Sequence, residues 1–381
     1  MSTTNSAGLA EFLVSSALEE GFADAQIISI REIFDRIDNY SQNYKSFDYK
    51  SLCDFPGSES HPGSGSFLVC ALAYPAQIPY AVKHNTGEAR PGVFPGPPPH
   101  AHVAPFAVRH YYRAAVEKLG KIKKTAAARF NLRESDFRSF SNSRIPEKII
   151  FWASGLGEYG RSGLIIHPRL GTRFIIALLY VHRFLSAASS SEALRPPGSL
   201  CGSCTACVQT CPASALSGDG SLDTTRCLQA RATRLETWDE ETKLEWGMRF
   251  YGCDTCQEVC PHNTKAFHDS DIENGLLGDR ISIIEFLSCT EDEIKKAFKG
   301  TALGMSWIPL QALVRNAIVA LGNYMTEGNS FTKADIGRGR DCIAVTSVVE
   351  LAALIKKYSG HQNKVLAEAA KWALEKIEIK I

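Results

Sequence analysis

Apolar and polar positions along the chain fall into three regimes. In the first, up to about residue 190, strand and helix patterns alternate. Ser66 to Tyr74 (SFLVCALAY) and Phe174 to Val181 (FIIALLYV) are unbroken apolar runs of strand length, which predicts strands buried on both faces. Ala107 to Arg129 has apolar residues at helical spacing, with Lys118, Lys121, Lys123 and Lys124 on its wet side. Leu164 to Ile166 and Phe174 to Val181 read as a strand pair around a turn at Arg169 to Thr172. Residues 91–105 (PGVFPGPPPHAHVAP) hold too much proline for regular structure, which predicts a loop over a surface or cleft. Past Asn263 the period becomes helical, over Ile283 to Leu287, Glu291 to Phe298, Leu310 to Met325, Val348 to Tyr358 and Lys364 to Ile377. Leu313 to Asn323 and Ala367 to Leu374 suggest paired helices stacked as in a helical repeat, with a plain helical cap as the alternative. The pattern predicts an α+β protein with an α/β domain over 1–190, a short module over 191–268 and a helical part over 269–381. Ser186 to Ser199 (SAASSSEALRPPGS) is the connection into the module.

Composition changes this picture little. Of 381 residues, 44% are hydrophobic and 22% charged, and the formal net charge is +1. That is ordinary for a globular protein, and no global field gathers nucleic acid or anionic membrane. The start has no basic region ahead of an apolar run, and the most apolar stretch, Phe174 to Val181, is far short of a membrane span. The expectation is a cytoplasmic protein without a membrane partner. In that compartment the twelve cysteines are thiols or metal ligands rather than disulfides.

Eight of the cysteines lie between 201 and 260. Cys201-Gly-Ser-Cys204-Thr-Ala-Cys207-Val-Gln-Thr-Cys211-Pro212 has the bacterial ferredoxin spacing, in which three thiolates hold one cubane and the fourth serves a second cluster. Counting back from Cys260-Pro261 with the same offsets gives Cys256, Cys253 and then Phe250, so one ligand is missing. Cys227 is the only nearby cysteine left to supply it. The expected quartets are Cys201, Cys204, Cys207 and Cys260, then Cys211, Cys227, Cys253 and Cys256. Zinc on paired C-x2-C motifs is the alternative, although it gives no reason for the x3-C-P endings. Cys53, Cys70, Cys289 and Cys342 are isolated and read as free buried thiols.

Gly155-Leu-Gly157-Glu-Tyr-Gly160 matches G-x-G-x-x-G, the pattern of dinucleotide-binding loops. A nicotinamide or flavin site needs an acid some twenty residues on, and residues 176–186 contain no Asp or Glu. The glycines then mark a close approach of the backbone to a ligand or another strand. Arg161, Ser162 and Arg173 could bind a phosphate or amide-rich ligand, with solvated arginines around a tight turn as the plainer reading.

Taken together these motifs resemble the epoxyqueuosine reductase family and the related corrinoid-dependent reductive dehalogenases. The stretches that carry the resemblance are Pro146-Glu147, the loop Ala153 to Ile166, Cys201 to Pro212, Arg226-Cys227-Leu228, Gly252 to Asn263 and the helical Leu313 to Asn323. The resemblance implies a nitroreductase-like α/β domain, a ferredoxin-like two-cluster module and a HEAT-like helical cap. It implies two 4Fe–4S clusters and a base-off cobalamin, with Gly155, Gly157, Tyr159, Gly160, Arg161, Ser162, Arg173 and Gln229 as cofactor-binding residues. It also implies a low-potential electron donor, a ferredoxin or flavodoxin. In epoxyqueuosine reductases an aspartate six residues before the glutamate donates a proton; here that position is Ser141, followed by Asn142. The catalytic candidates are therefore Ser141, Asn142 and Tyr159, with Tyr111 and Tyr112 as further proton donors. The missing carboxylate and the near-neutral charge argue against tRNA. The reading is a cobalamin-dependent reductase of an unidentified small molecule or modified nucleoside. Its alternatives are an epoxyqueuosine reductase acting on tRNA and an electron carrier without its own substrate.

Overall fold

The computed structural model describes residues 3–43, 65–75, 81–83, 89–91, 93–185, 193–263, 277–326 and 348–378. Cys53, Cys342 and most of the Ser-rich part of the connection lie outside them. Its frame is a four-stranded antiparallel sheet in the order Asp24–Ser29, Ser66–Ala73, Phe174–Val181, Phe137–Phe140. Every residue of Ser66–Ala73 is buried, because helices cover both faces. Successive side chains of a strand point to opposite faces, and each set has its own core. Leu68, Cys70 and Leu72 pack with Leu13 of the helix Thr3–Glu19 and Leu119 and Ile122 of the helix Tyr111–Arg129. Phe67, Val69 and Ala71 pack with Ile33 and Ile37 of the helix Ile30–Asn43 and with Ile150 and Trp152 of the helix Glu147–Ser154.

Two local expectations are corrected. Ile165–Ile166 pairs with Glu158–Tyr159, not with Phe174–Val181, whose two edges are taken by Ser66–Ala73 and Phe137–Phe140. The cause is Gly157, where a Cβ would lie 2.8 Å from the Ile166 carbonyl, so only glycine lets the hairpin close. The proline-rich loop is not wholly irregular either. His100–Val103 is the central strand of a second sheet, between Arg249–Tyr251 and Arg280–Ser282. Its partners lie about 150 residues or more away, so no local pattern announces it.

The C-terminal part is helical as expected, with Leu310–Thr326 packed against Lys364–Glu378. Leu310–Thr326 is buried on almost every side, polar residues included. Arg315 explains why. Its guanidinium lies 3.7 Å from the centroid of the Trp238 ring and donates to the carbonyls of Arg231 (3.1 Å), Ala232 (3.3 Å), Arg234 (2.7 Å) and Glu236 (3.0 Å). Asn316 donates to Ala232 and Phe250, and Asn323 to Lys243 and Gly247. The helical cap is thus hydrogen-bonded to the backbone that follows Cys227. Among the described residues no helix is long and apolar enough to cross a membrane. Replacing Arg315 by Met orphans several buried carbonyls at once; denaturant unfolding should show a loss on the order of 3 kcal/mol, and a change within 0.5 kcal/mol is the outcome against this account.

Candidate redox and substrate site

The cysteine segment folds as two short helices, Ala206–Thr210 and Thr255–Glu258, packed against each other, each following its own C-x2-C turn. The electrostatic neighbours of each thiol sort the eight into two groups. Cys207 faces Cys201, Cys260 and Cys204; Cys260 faces Cys201 and Cys204. Cys227 faces Cys253 and Cys211, and Cys256 faces Cys253, Cys227, Cys207 and Cys211. Cys256 belongs to the second group and stands closest to the first. A cavity of about 120 Å³ lies between Gly160 to Ser162 and Cys201, Cys204, Cys207, Cys256 and Cys260. Among the described residues no three His, Cys, Asp or Glu converge tightly enough to hold one metal ion. A zinc ion needs thiolates about 2.3 Å from one centre, whereas a cubane spreads its ligands over four irons.

The broken second motif has a packing reason. Phe250 belongs to the strand Arg249–Tyr251 and is fully buried against Phe286 and Phe298. A position committed to that core cannot turn outward to a metal. Cys227, at the N-terminus of the helix Leu228–Arg231, faces Cys253 and Cys211 and is the candidate for the ligand place. Burial pushes the Cys256 thiol up to about 12 and raises Cys207, Cys227 and Cys260 as well. Metal must therefore displace bound protons when the site fills. Cys70 is buried and Cys289 half-buried, and neither is in a disulfide bond.

The glycine loop is largely occupied by the protein itself. Gly155 ends the helix Glu147–Ser154 in left-handed conformation (φ 83°). Gly157 and Gly160 make room for Ile165 and Ile166, and Gly163 (φ 73°) meets the backbone of Gly220. Arg161 is bound into the cluster module, donating from its guanidinium to Gly218 (3.0 Å) and Gly202 (2.8 Å), while its backbone N–H lies 3.5 Å from the Cys201 sulfur. Ser162 lines the same cavity. Gln229 accepts from the Cys253 backbone N–H at 3.3 Å and bonds Tyr251, so it braces the second cysteine turn. Arg173 is half-buried, with its carbonyl accepting from the Tyr74 N–H.

A larger pocket of about 470 Å³ opens beside this loop, lined by Asn142, Ser143, Ile145 to Ile149, Tyr159, Leu164, Thr172, Phe174 and Tyr112 among others. Of the catalytic candidates, Asn142 and Tyr159 line it. Ser141 donates its hydroxyl to the Ile176 carbonyl at 2.8 Å. Burial raises the Tyr159 and Tyr112 hydroxyls, and Tyr111 lies buried in the core beneath the sheet. The carboxylate of Glu147 accepts from the N–H groups of Asn142 (3.0 Å) and Ser143 (2.8 Å) and from the Ser143 hydroxyl, which holds the loop in shape although Asn142 sits at φ 54°.

Residues that sequence reasoning passed over join this pocket to the clusters. Gln257 lies between Cys256 and Cys260. It is buried and bonds the Tyr74 hydroxyl at 2.9 Å and the Thr172 carbonyl at 2.8 Å. Asn263 donates to the Gln257 carbonyl and accepts from the Thr172 N–H, both at 2.7 Å. In the sequence both look like spacers within a cysteine motif. Changing Cys227 to Ser should lower iron from about eight per chain to about four and leave the spectrum of one cubane; full iron retention would overturn the quartets.

With this geometry in hand, comparison with known proteins is informative. Residues 200–263 match the family model of the 4Fe–4S double cluster binding domain, so the module carries two 4Fe–4S clusters. The epoxyqueuosine reductase of Staphylococcus aureus is 28% identical over 269 residues, covering 70% of this chain and 65% of that protein. That of Burkholderia pseudomallei is 33% identical over 178 residues, or 45% of this chain and 42% of the relative. The chain thus matches less than two thirds of the length of these relatives. A crystal structure of epoxyqueuosine reductase with a tRNA-Tyr epoxyqueuosine-modified stem loop aligns with 97% of this chain and 90% of its own, at TM-score 0.68 and 23% identity. That likeness shows an α+β fold shared across nearly the whole chain. The matches overturn the expectation of a cobalamin-dependent reductase of an unidentified substrate, since the relatives are epoxyqueuosine reductases and nothing in the matches speaks for cobalamin. The expectation had weighed one missing aspartate and the summed charge above the order of the motifs. The chain is similar to the epoxyqueuosine reductases in sequence and in fold, and carries a double-cluster module at residues 200–263.

Proposed function

We propose that the chain is an epoxyqueuosine reductase acting on tRNA, in which the two clusters pass electrons to a nucleoside held in the pocket beside Tyr159. The observation that carries this reading is the shared wall. Thr172 lines the pocket and is hydrogen-bonded to Gln257 and Asn263, on the segment that carries Cys256 and Cys260. An electron carrier without a substrate has no use for a cavity of about 470 Å³ there. Removing an epoxide oxygen to leave an alkene breaks two C–O bonds. It consumes two electrons and two protons and releases water. The clusters deliver the electrons one at a time from a low-potential donor of the ferredoxin or flavodoxin class, and the protein supplies orientation and the protons. The reaction places the protein in the cytoplasm with its tRNA.

In this reading residues 1–190 form a nitroreductase-like domain, supported by a sheet covered on both faces, and residues 269–381 a HEAT-like cap, supported by helices packed on one another. Cobalamin is the cofactor that the family resemblance implies, and no step is routed through it. The pocket residues suit the edge of a macrocycle, with an apolar wall of Ile145, Leu164, Ile165 and Phe174 and polar groups from Asn142, Ser143 and Lys148 at the rim. When bound it would supply electron transfer at cobalt. Corrinoid retained near one per chain by anaerobically purified protein is the expected result, and none retained removes it from the reading.

The function itself is tested with cluster-reconstituted protein, a chemical reductant and a tRNA stem loop carrying epoxyqueuosine. Queuosine should form, and binding of the stem loop should weaken as salt rises. A fully loaded protein that leaves the epoxide intact would rule the proposal out.

A further inference from the structure

Reduction of an epoxide needs an acid at the oxygen, and few groups in the pocket can serve. Among the described residues its ionisable lining consists of Tyr112, Glu147, Lys148 and Tyr159. Glu147 is turned to its own loop, where Asn142 and Ser143 occupy both its oxygens. Tyr112 and Tyr159 are phenols in an apolar setting. Lys148 remains. It follows Glu147 in the first turn of the helix Glu147–Ser154, and its Nζ donates to the Gly163 carbonyl at 3.1 Å and lies 5.9 Å from the centroid of the Tyr159 ring. Among the described residues no carboxylate pairs with this ammonium within 4 Å. The residue is open to solvent where it lines the pocket, while its Nζ is crowded by the Gly163 carbonyl and the Tyr159 ring. A bound molecule can therefore reach it and solvent can return its proton, although the amine is partly desolvated.

We propose that Lys148 is the catalytic acid of this site, giving its proton to the oxygen as the C–O bonds break. The inference rests on the function proposed above. The proton passes from Nζ to the departing oxygen; the neutral amine regains one from water through the open pocket and gives the second, so that water leaves. Electrons come from the clusters throughout. Burial favours this choice over the phenols, because desolvation penalises the charged form of each group. It lowers the Lys148 pKa and raises those of Tyr112 and Tyr159, so the lysine becomes the stronger acid. Nζ meets the Gly163 carbonyl and the Tyr159 ring from the hairpin, while Glu147 from its own helix and Tyr112 from the helix Tyr111–Arg129 line the same pocket.

The sign of the pH effect follows. The donor must be protonated, so the rate falls as pH rises through the Lys148 pKa, below the ordinary lysine value of about 10.4. The experiment compares wild type, Lys148→Arg and Lys148→Met in single-turnover reduction of the epoxyqueuosine stem loop. Arg keeps the charge and can still cap Gly163, but a guanidinium does not give up its proton. Both variants should slow oxygen removal by about 100-fold or more, bind the stem loop within about twofold of wild type, and lose the alkaline limb. Arg restoring the rate overturns the proposal in favour of a charge or a structural strut, and so does an unchanged pH profile. An inert wild type with full clusters sinks the proposed function and the lysine with it, whereas an active wild type beside an active Arg variant sinks the lysine alone.

Discussion

In the proposed quartets neither half of the cysteine module completes a cluster alone. Cys201, Cys204 and Cys207 come from one turn and face Cys260, at the far end of the segment; Cys211 leaves that first turn to face Cys227 and Cys256. The two ends of about sixty residues must therefore meet before either site exists. That exchange turns a stretch poor in regular structure into one rigid unit. Filling it drives off protons from thiols that burial holds neutral, so cluster assembly and folding are coupled. The rest of the molecule is fastened to that unit, by Arg315 and its asparagine neighbours on one side and by Gln257, Asn263 and Arg161 on the other.

How much of this was legible in the sequence follows from how far apart the partners lie. Cysteine spacing is a local constraint, so the double-cluster module could be read in one pass, even with Phe250 in the place of a cysteine. The apolar runs 66–73 and 174–181 announced themselves in the same way. His100–Val103 did not, because a strand among prolines is defined by partners at 249–251 and 280–282. The glycine loop left ligand and strand open as alternatives. The close packing of Gly157 and Gly160 on Ile165 and Ile166 supplies the strand.

The reading of function went astray for a related reason. Net charge sums over the whole surface and says little about one face. Ser141 carries no carboxylate, and the pocket that begins at Asn142 holds another ionisable group that a search for carboxylates passes over. Lys148 looks like a solvated helix residue until the hairpin closes and sets Gly163 and Tyr159 against it.

The link between Thr172, Gln257 and Asn263 has one more consequence. Tunnelling rates fall exponentially with separation, so a carrier that wobbles against its acceptor has no single rate. A side chain at 171 would collide with Asn263 and the His262 backbone, so turn and module interlock here like a key in its ward. In the proposed reaction the gap an electron crosses is thereby held by covalent geometry and a few short amide bonds.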